Sequence, residues 1–222
     1  RRDNSGRTEV HCVTSGKVPD VVIRRMVTYL RILRDIPQGA KEYISSSELG
    51  EWAAVNGAQV RKDLALFGEF GKQGVGYPLQ GLTEELVRIL GADCDMPVAI
   101  FGIGELGTAL ARYLTGRRRN DPEYPFVITA LFDSDPLKIG TKIEANDIET
   151  LDSWEDPENR RDIRIALLTV PVHAAQEVAD RAMSFGIKGF VNFAPTKLKT
   201  PSGVRVVNAD VTRQLQELAY HL

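Results

Sequence analysis

Only two cysteines, three histidines and two tryptophans occur among the 222 residues, and the formal net charge is just −2. Cys12 and Cys94 show neither metal-ligand nor redox-pair spacing, which removes a zinc module and a dithiol centre and makes a reducing cytoplasm the simplest setting. Without an excess of one charge, no global field drives the chain onto nucleic acid or membrane. No run approaches the ~20 apolar residues of a membrane span. The segment Arg1 to Gly16 is polar, lacks an apolar signal core and is read as a flexible tail. Hydrophobic residues make up 43% of the chain, enough for packed cores in one large or two small domains.

The most informative run is Val98-Ala-Ile-Phe-Gly102-Ile103-Gly104-Glu105-Leu106-Gly107. Apolar residues feed a G-x-G-x-x-G turn, and Thr108 to Leu114 continues at helical spacing, the layout of a dinucleotide pyrophosphate site. Gly102 permits the tight turn, Gly104 the approach of a phosphate and Gly107 close helix–strand packing. The helix start offers N–H groups and partial positive charge to the pyrophosphate of a dinucleotide or of another ligand such as coenzyme A. Phe126 to Phe132 is a buried strand closed by Asp133, whose carboxylate could accept ribose hydroxyls and repel a 2′-phosphate, favouring NAD over NADP. Asp133 could equally begin a turn with Ser134, Asp135 and Pro136, ahead of Lys138. The spacing is longer than usual, and Gly116 to Pro125 has the look of an added loop.

Strands over Asp162–Val170 and Gly189–Pro195, with a helix over Ala174–Phe185 between them, predict a doubly wound parallel sheet. Ligands bind beyond the carboxyl ends of such strands. Thr169-Val170-Pro171 and Asn192-Phe193-Ala194-Pro195 fall there and are candidate nicotinamide contacts, although prolines also simply end strands. Asn208 to Leu222 reads as a last amphipathic helix with Asp210 as its N-cap. Its apolar face packs either on its own domain or on a second subunit.

In front of this module stand three helical patterns. Pro19–Asp35 carries the stripe Val22, Met26, Tyr29, Leu30 and Leu33, Ser45–Val55 opens on a capping box with Glu48, and Ala58–Phe67 follows the breaker Asn56-Gly57. The pair around Asn-Gly is a helix-turn-helix candidate. Val60, Leu64 and Phe67 should face inward, leaving Gln59, Arg61, Lys62 and Asp63 outside, where Arg and Lys suit phosphates or guanine and Gln suits adenine. An ordinary solvated helix face gives the same pattern. The glycine-rich stretch Gly68 to Pro78, with Lys72, Gly74, Gly76 and Tyr77, suggests a β-ribbon or wing against a DNA backbone. Leu82–Leu90 is a further helix, and Gly91–Pro97 a linker.

An NAD-dependent oxidoreductase with an N-terminal helical accessory domain needs an acid or base beside the hydride acceptor. His11 lies in the tail, His221 next to the last residue, and His173 and Lys197 are weak candidates. A DNA-reading front end on a dinucleotide domain suggests a sensor instead. From about residue 17 onward the chain resembles the redox-sensing transcriptional repressors of the Rex family. The resemblance is carried by Tyr29-Leu-Arg-Ile-Leu33, Ser46-Ser-Glu-Leu49, Gln59-Val-Arg-Lys-Asp-Leu64, Phe67-Gly-Glu-Phe-Gly71, Gly74-Val-Gly-Tyr77, Asp135-Pro-Leu-Lys-Ile-Gly140, Leu168-Thr-Val-Pro171 and Gly186 to Pro195.

It implies a winged helix-turn-helix domain over 17–91, a Rossmann-type NAD(H) domain over 92–207 and a C-terminal helix over 208–222 swapped onto a partner in a homodimer. It implies no catalysis, DNA contacts from Ser46 through Tyr77, and cofactor contacts from Gly102 through Pro195 at the positions named above. Two such heads read a palindromic double-stranded operator, which NADH releases while NAD⁺ competes. The switch falls on Arg31, Tyr113 and Asp210, with the Asp pairing to the Arg on DNA and to the Tyr with NADH.

Overall fold

A computed structural model describes residues 18–37, 39–72, 74–156 and 162–222. The tail through Gly16 therefore lies outside the described residues. The chain forms two compact units, one ending at Cys94 and the other running from Asp95 to Leu222.

In the front unit, α1 (Asp20–Arg34) buries Val22, Met26, Tyr29, Leu30 and Leu33 as its spacing predicts. It stops short of Pro37, since the residue before a proline is pushed out of the helical region. A short strand β1 (Tyr43–Ile44) leads into α2 (Ser46–Trp52), which opens on a complete capping box: Ser45 accepts the Glu48 N–H at 3.1 Å, and Glu48 accepts the Ser45 N–H. The helix ends earlier than the expected Val55, with Ala54 at φ +53. Asn56 then caps α3 (Gly57–Ala65), its side-chain oxygen accepting the Gln59 N–H at 2.8 Å.

Next, β2 (Tyr77–Pro78) pairs antiparallel with β1, and α4 (Leu79–Ile89) follows directly. It starts three residues before the expected Leu82, because Pro78 stands ready at the helix start. Ile44, Leu49, Val60, Leu64, Leu82 and Leu86 close the core around α1. One expectation fails clearly: Asp63 does not face solvent but is 1% exposed.

The rear unit begins with β3 (Met96–Phe101) and α5 (Glu105–Asn120). β4 (Phe126–Phe132), β5 (Lys142–Ile143) and β6 (Asn146–Glu149) precede a 3-10 turn over Leu151–Glu155. Then come β7 (Ile165–Leu168), α6 (Val172–Ser184), β8 (Gly189–Asn192), β9 (Arg205–Asn208) and α7 (Val211–Tyr220). The sheet order is β5-β6-β4-β3-β7-β8-β9, parallel throughout except for the β5–β6 pair.

Alternation along β3 sends Val98 and Ile100 to one core and Ala99 and Phe101 to the other. In the second core Phe101 stacks on Phe132 at 5.0 Å, and Trp154 meets Phe132 edge-on at 4.7 Å.

Three readings of the sequence need correction here. The first half of the expected loop, Gly116 to Asn120, is instead the end of α5, where Arg118 bonds the Tyr124 carbonyl and Asp95 while Arg119 pairs with Glu144. The strands expected over 162–170 and 189–195 are shorter, β7 and β8. Asn208 ends the edge strand β9 rather than starting the last helix. Asp210 does cap that helix, accepting the Arg213 N–H at 3.0 Å.

Candidate nucleotide and nucleic-acid sites

The strand order reverses on either side of β3, with β4 on one side and β7 on the other. This is the crevice where open α/β sheets take ligands. The glycine turn sits there. Gly102 has φ +92, and a Cβ on it would strike Thr169 and Val170, while a Cβ on Gly107 would run into the Gly102 carbonyl oxygen. A Cβ on Gly104 would meet nothing within 4 Å. Gly102 and Gly107 are thus dictated by the protein's own packing, whereas the space over Gly104 is free for a ligand. Gly104 also brings no side-chain cap to α5, so the first-turn N–H groups stay available to an anion. These features fit a pyrophosphate.

Asp133 closes β4, and its carboxylate is turned toward this turn. One oxygen accepts the Ile103 N–H at 2.7 Å and the Lys138 ammonium at 3.1 Å, and the other accepts the Asp135 N–H at 2.9 Å. Burial works against its ionisation, but these donors together hold it below its ordinary carboxylate value. It therefore begins the local turn through Asp135, as one sequence reading has it, and it also braces the glycine loop, a role that neither reading gave it. Ser134 is exposed beside it.

Across the crevice, the Thr169 hydroxyl donates toward the carbonyls of Gly102 at 2.7 Å and Phe101 at 3.0 Å. Its side chain serves the turn, while Val170 and Pro171 border the same crevice end. Asn192 is buried with its amide donating to the Thr196 carbonyl and to Asn208, and its oxygen accepting from the Ala194 N–H. It shapes the loop carrying Phe193, Ala194 and Pro195. Ala194, Pro195, Lys197 and Asp210 line a cleft of about 510 Å³ with the first turns of α7. His173 is exposed at the start of α6.

In the front unit, Arg61 and Lys62 are exposed on α3, and Arg61 donates to the Ser46 hydroxyl at 2.6 Å. Lys72 and Gly76 exchange backbone hydrogen bonds of 3.1 Å, forming the base of a ribbon with Gly74 exposed near its tip. Arg61, Ser46, Lys72, Gly74, Gly76 and Tyr77 line one cleft of about 670 Å³ between α3 and the ribbon. Burial pushes the half-buried Tyr77 hydroxyl up, against the pull of Arg61.

A second constellation was not legible in the sequence. Asp63 accepts two bonds from Arg25, at 2.6 and 2.8 Å, one from the Tyr29 hydroxyl at 2.9 Å and one from the Gln59 amide at 2.8 Å. Burial opposes its charge, and the three partners overcome it to hold the carboxyl below its ordinary value. The one available signal was that Arg25 and Tyr29 lie four apart, with Tyr29 on the buried stripe of α1.

Of the three switch positions, Arg31 is exposed near the end of α1, Tyr113 is 59% exposed on α5, and Asp210 caps α7.

A helix-turn-helix unit with a ribbon, followed by a doubly wound sheet whose glycine turn lies at the switch point, defines a regulator that joins DNA reading to nucleotide sensing. The family described as "Putative DNA-binding protein N-terminus" matches residues 17–65, and the family "CoA binding domain" matches residues 93–196. The chain is 43% identical to the redox-sensing transcriptional repressor Rex of Roseiflexus sp. (strain RS-1), over 92% of this chain and 90% of that one. It is 44% identical to the Rex repressor of Chloroflexus aurantiacus (strain ATCC 29366 / DSM 635 / J-10-fl), over 92% and 94% of the two chains. Among solved structures, RSP in complex with β-NAD⁺ and operator DNA matches with a TM-score of 0.84 at 35% identity, covering 93% of each chain. RSP in complex with β-NADH matches with a TM-score of 0.80 at 33% identity, covering 93% of this chain and 95% of that one. The chain belongs to the Rex family of redox-sensing transcriptional repressors. Its relatives are named as repressors rather than enzymes, which decides against the oxidoreductase reading.

Proposed function

We propose that this chain works as a homodimer in the cytoplasm, binds a palindromic operator through α3 and the ribbon, and is released from it by NADH. Residues 17–91 read DNA, 92–207 hold the dinucleotide and 208–222 bind the partner subunit. The reading rests above all on the free space over Gly104 at the head of α5, in a chain that also carries the capped α2–α3 pair. Bound dinucleotide acts as a signal and undergoes no reaction: its pyrophosphate lies on the glycine turn, with Asp133 and Lys138 on the ribose side and the loops at 169–171 and 192–195 on the nicotinamide side.

Support for the dimer comes from α7. Val211, Leu215 and Leu218 are each more than half exposed within the chain, and no residue of the helix is buried. Such an apolar face suits a second copy. Asp210 at its start pairs with Arg31 in the DNA-bound form and with Tyr113 in the NADH-bound form. Each pairing sets a different separation of the two heads. NADH must prefer the second form, because a ligand of equal affinity for both shifts nothing. No described helix is long and apolar enough to cross a membrane.

A gel-shift titration on operator duplex tests this. NADH should free the DNA at lower concentration than NAD⁺ does; a bound fraction unchanged by NADH would refute it.

A further inference from the structure

Asp63 points inward from a helix whose outer face is assigned to DNA, yet it grips a side chain on that face. Gln59 lies in the first turn of α3, where recognition helices contact base edges. Its Nε2 donates to Asp63 Oδ1 at 2.8 Å. Arg25 and Tyr29, both on α1, hold the carboxylate from the other side. An ionised carboxylate only accepts hydrogen bonds. Turning the Gln59 amide over would set its oxygen against a carboxylate oxygen, so the network itself assigns which end is which.

Resting on the reading that α3 enters a major groove, we propose that Asp63 is a positioning residue for base recognition: it holds the Gln59 amide so that the Oε1 acceptor leads, selecting a base with an amino group. The groove then meets Oε1 and the second Nε2 hydrogen. Adenine answers both, with its N6 amino group and N7, and cytosine answers Oε1 alone through N4. Guanine O6 and thymine O4 are acceptors and oppose Oε1. Because Arg25 and Tyr29 anchor Asp63 on the core side, the preference is built into the free protein.

The test selects duplexes from a randomised pool with the full chain. Wild type should favour amino-bearing over keto-bearing bases, adenine first, by about fivefold to a hundredfold at one position of each half-site. Q59A should lose preference at that position alone. D63N, whose own amide can donate to a turned-over Gln59, should admit guanine and thymine there while other positions hold.

The proposal is overturned if Q59A selects the wild-type sequence, or if folded D63N keeps the full amino-over-keto preference. Should D63N not fold, the wild-type side-chain amide of Gln59, identified by its loss in Q59A, decides. One of its protons should exchange with water more slowly than those of free glutamine in the same buffer, and equal rates would overturn the lock. A wild-type chain that enriches no sequence at all refutes DNA reading by α3, and the proposal with it, which is distinct from either variant's failure.

Discussion

Two aspartates, one in each unit, hold candidate binding elements in place by different means. Asp63 is 1% exposed and takes its partners from side chains, chiefly the Arg25 guanidinium of another helix. Asp133 is 10% exposed and takes two of its three partners from backbone N–H groups of adjoining turns. A carboxylate held by side chains depends on distant residues and rigidifies helix packing. One held by main-chain groups depends mainly on where a strand ends, and so it shapes a ligand loop directly.

The largest effect expected from breaking this contrast is in the front unit. D63A leaves Arg25 and the buried Tyr29 hydroxyl without their acceptor, and urea unfolding should show a loss of about 3 kcal/mol, the lower end for a broken buried pair because Arg25 is 22% exposed. D133N should cost about 1.5–3 kcal/mol through its weakened charge-assisted bonds, and it should also reduce NADH affinity and preference over NADPH in calorimetry, which D63A should leave alone.

A smaller and more selective effect separates the glycines. G107A should both destabilise the rear unit, by about 1–3 kcal/mol, and weaken NADH binding. G104A should stay within about 0.5 kcal/mol of wild type yet lose NADH affinity, since its Cβ fills only ligand space.

The smallest effect sits at acid pH. Both carboxyls titrate below their ordinary values when folded, so the unfolded chain takes up protons first. Their stabilisation is complete above the unfolded value of about 4 and is lost as pH falls through the lower folded values. Acid unfolding should flatten in D63N and D133N, each affecting its own unit.

The same contrast explains what the sequence revealed. Asp133 was legible because it follows a buried strand after a glycine turn, and topology sets that place. The capping box at Ser45 and the Asp210 cap were legible because capping is local. Asp63 was misplaced because periodicity ranks it among polar neighbours, and only the packing of α1 against α3 brings Arg25 to it. β1 and β5, two residues each, are too short for alternation to register, and they form because a partner strand is already there. The apolar stripe of α7 was legible from its spacing, but periodicity does not distinguish its own domain from a second subunit as the surface that covers it.

The most direct test measures NADH affinity in the presence and absence of saturating operator duplex. Coupling between two sites is reciprocal, so operator should weaken NADH by the same factor by which NADH weakens operator, about fivefold to 150-fold. Equal NADH affinity with and without operator would contradict the account.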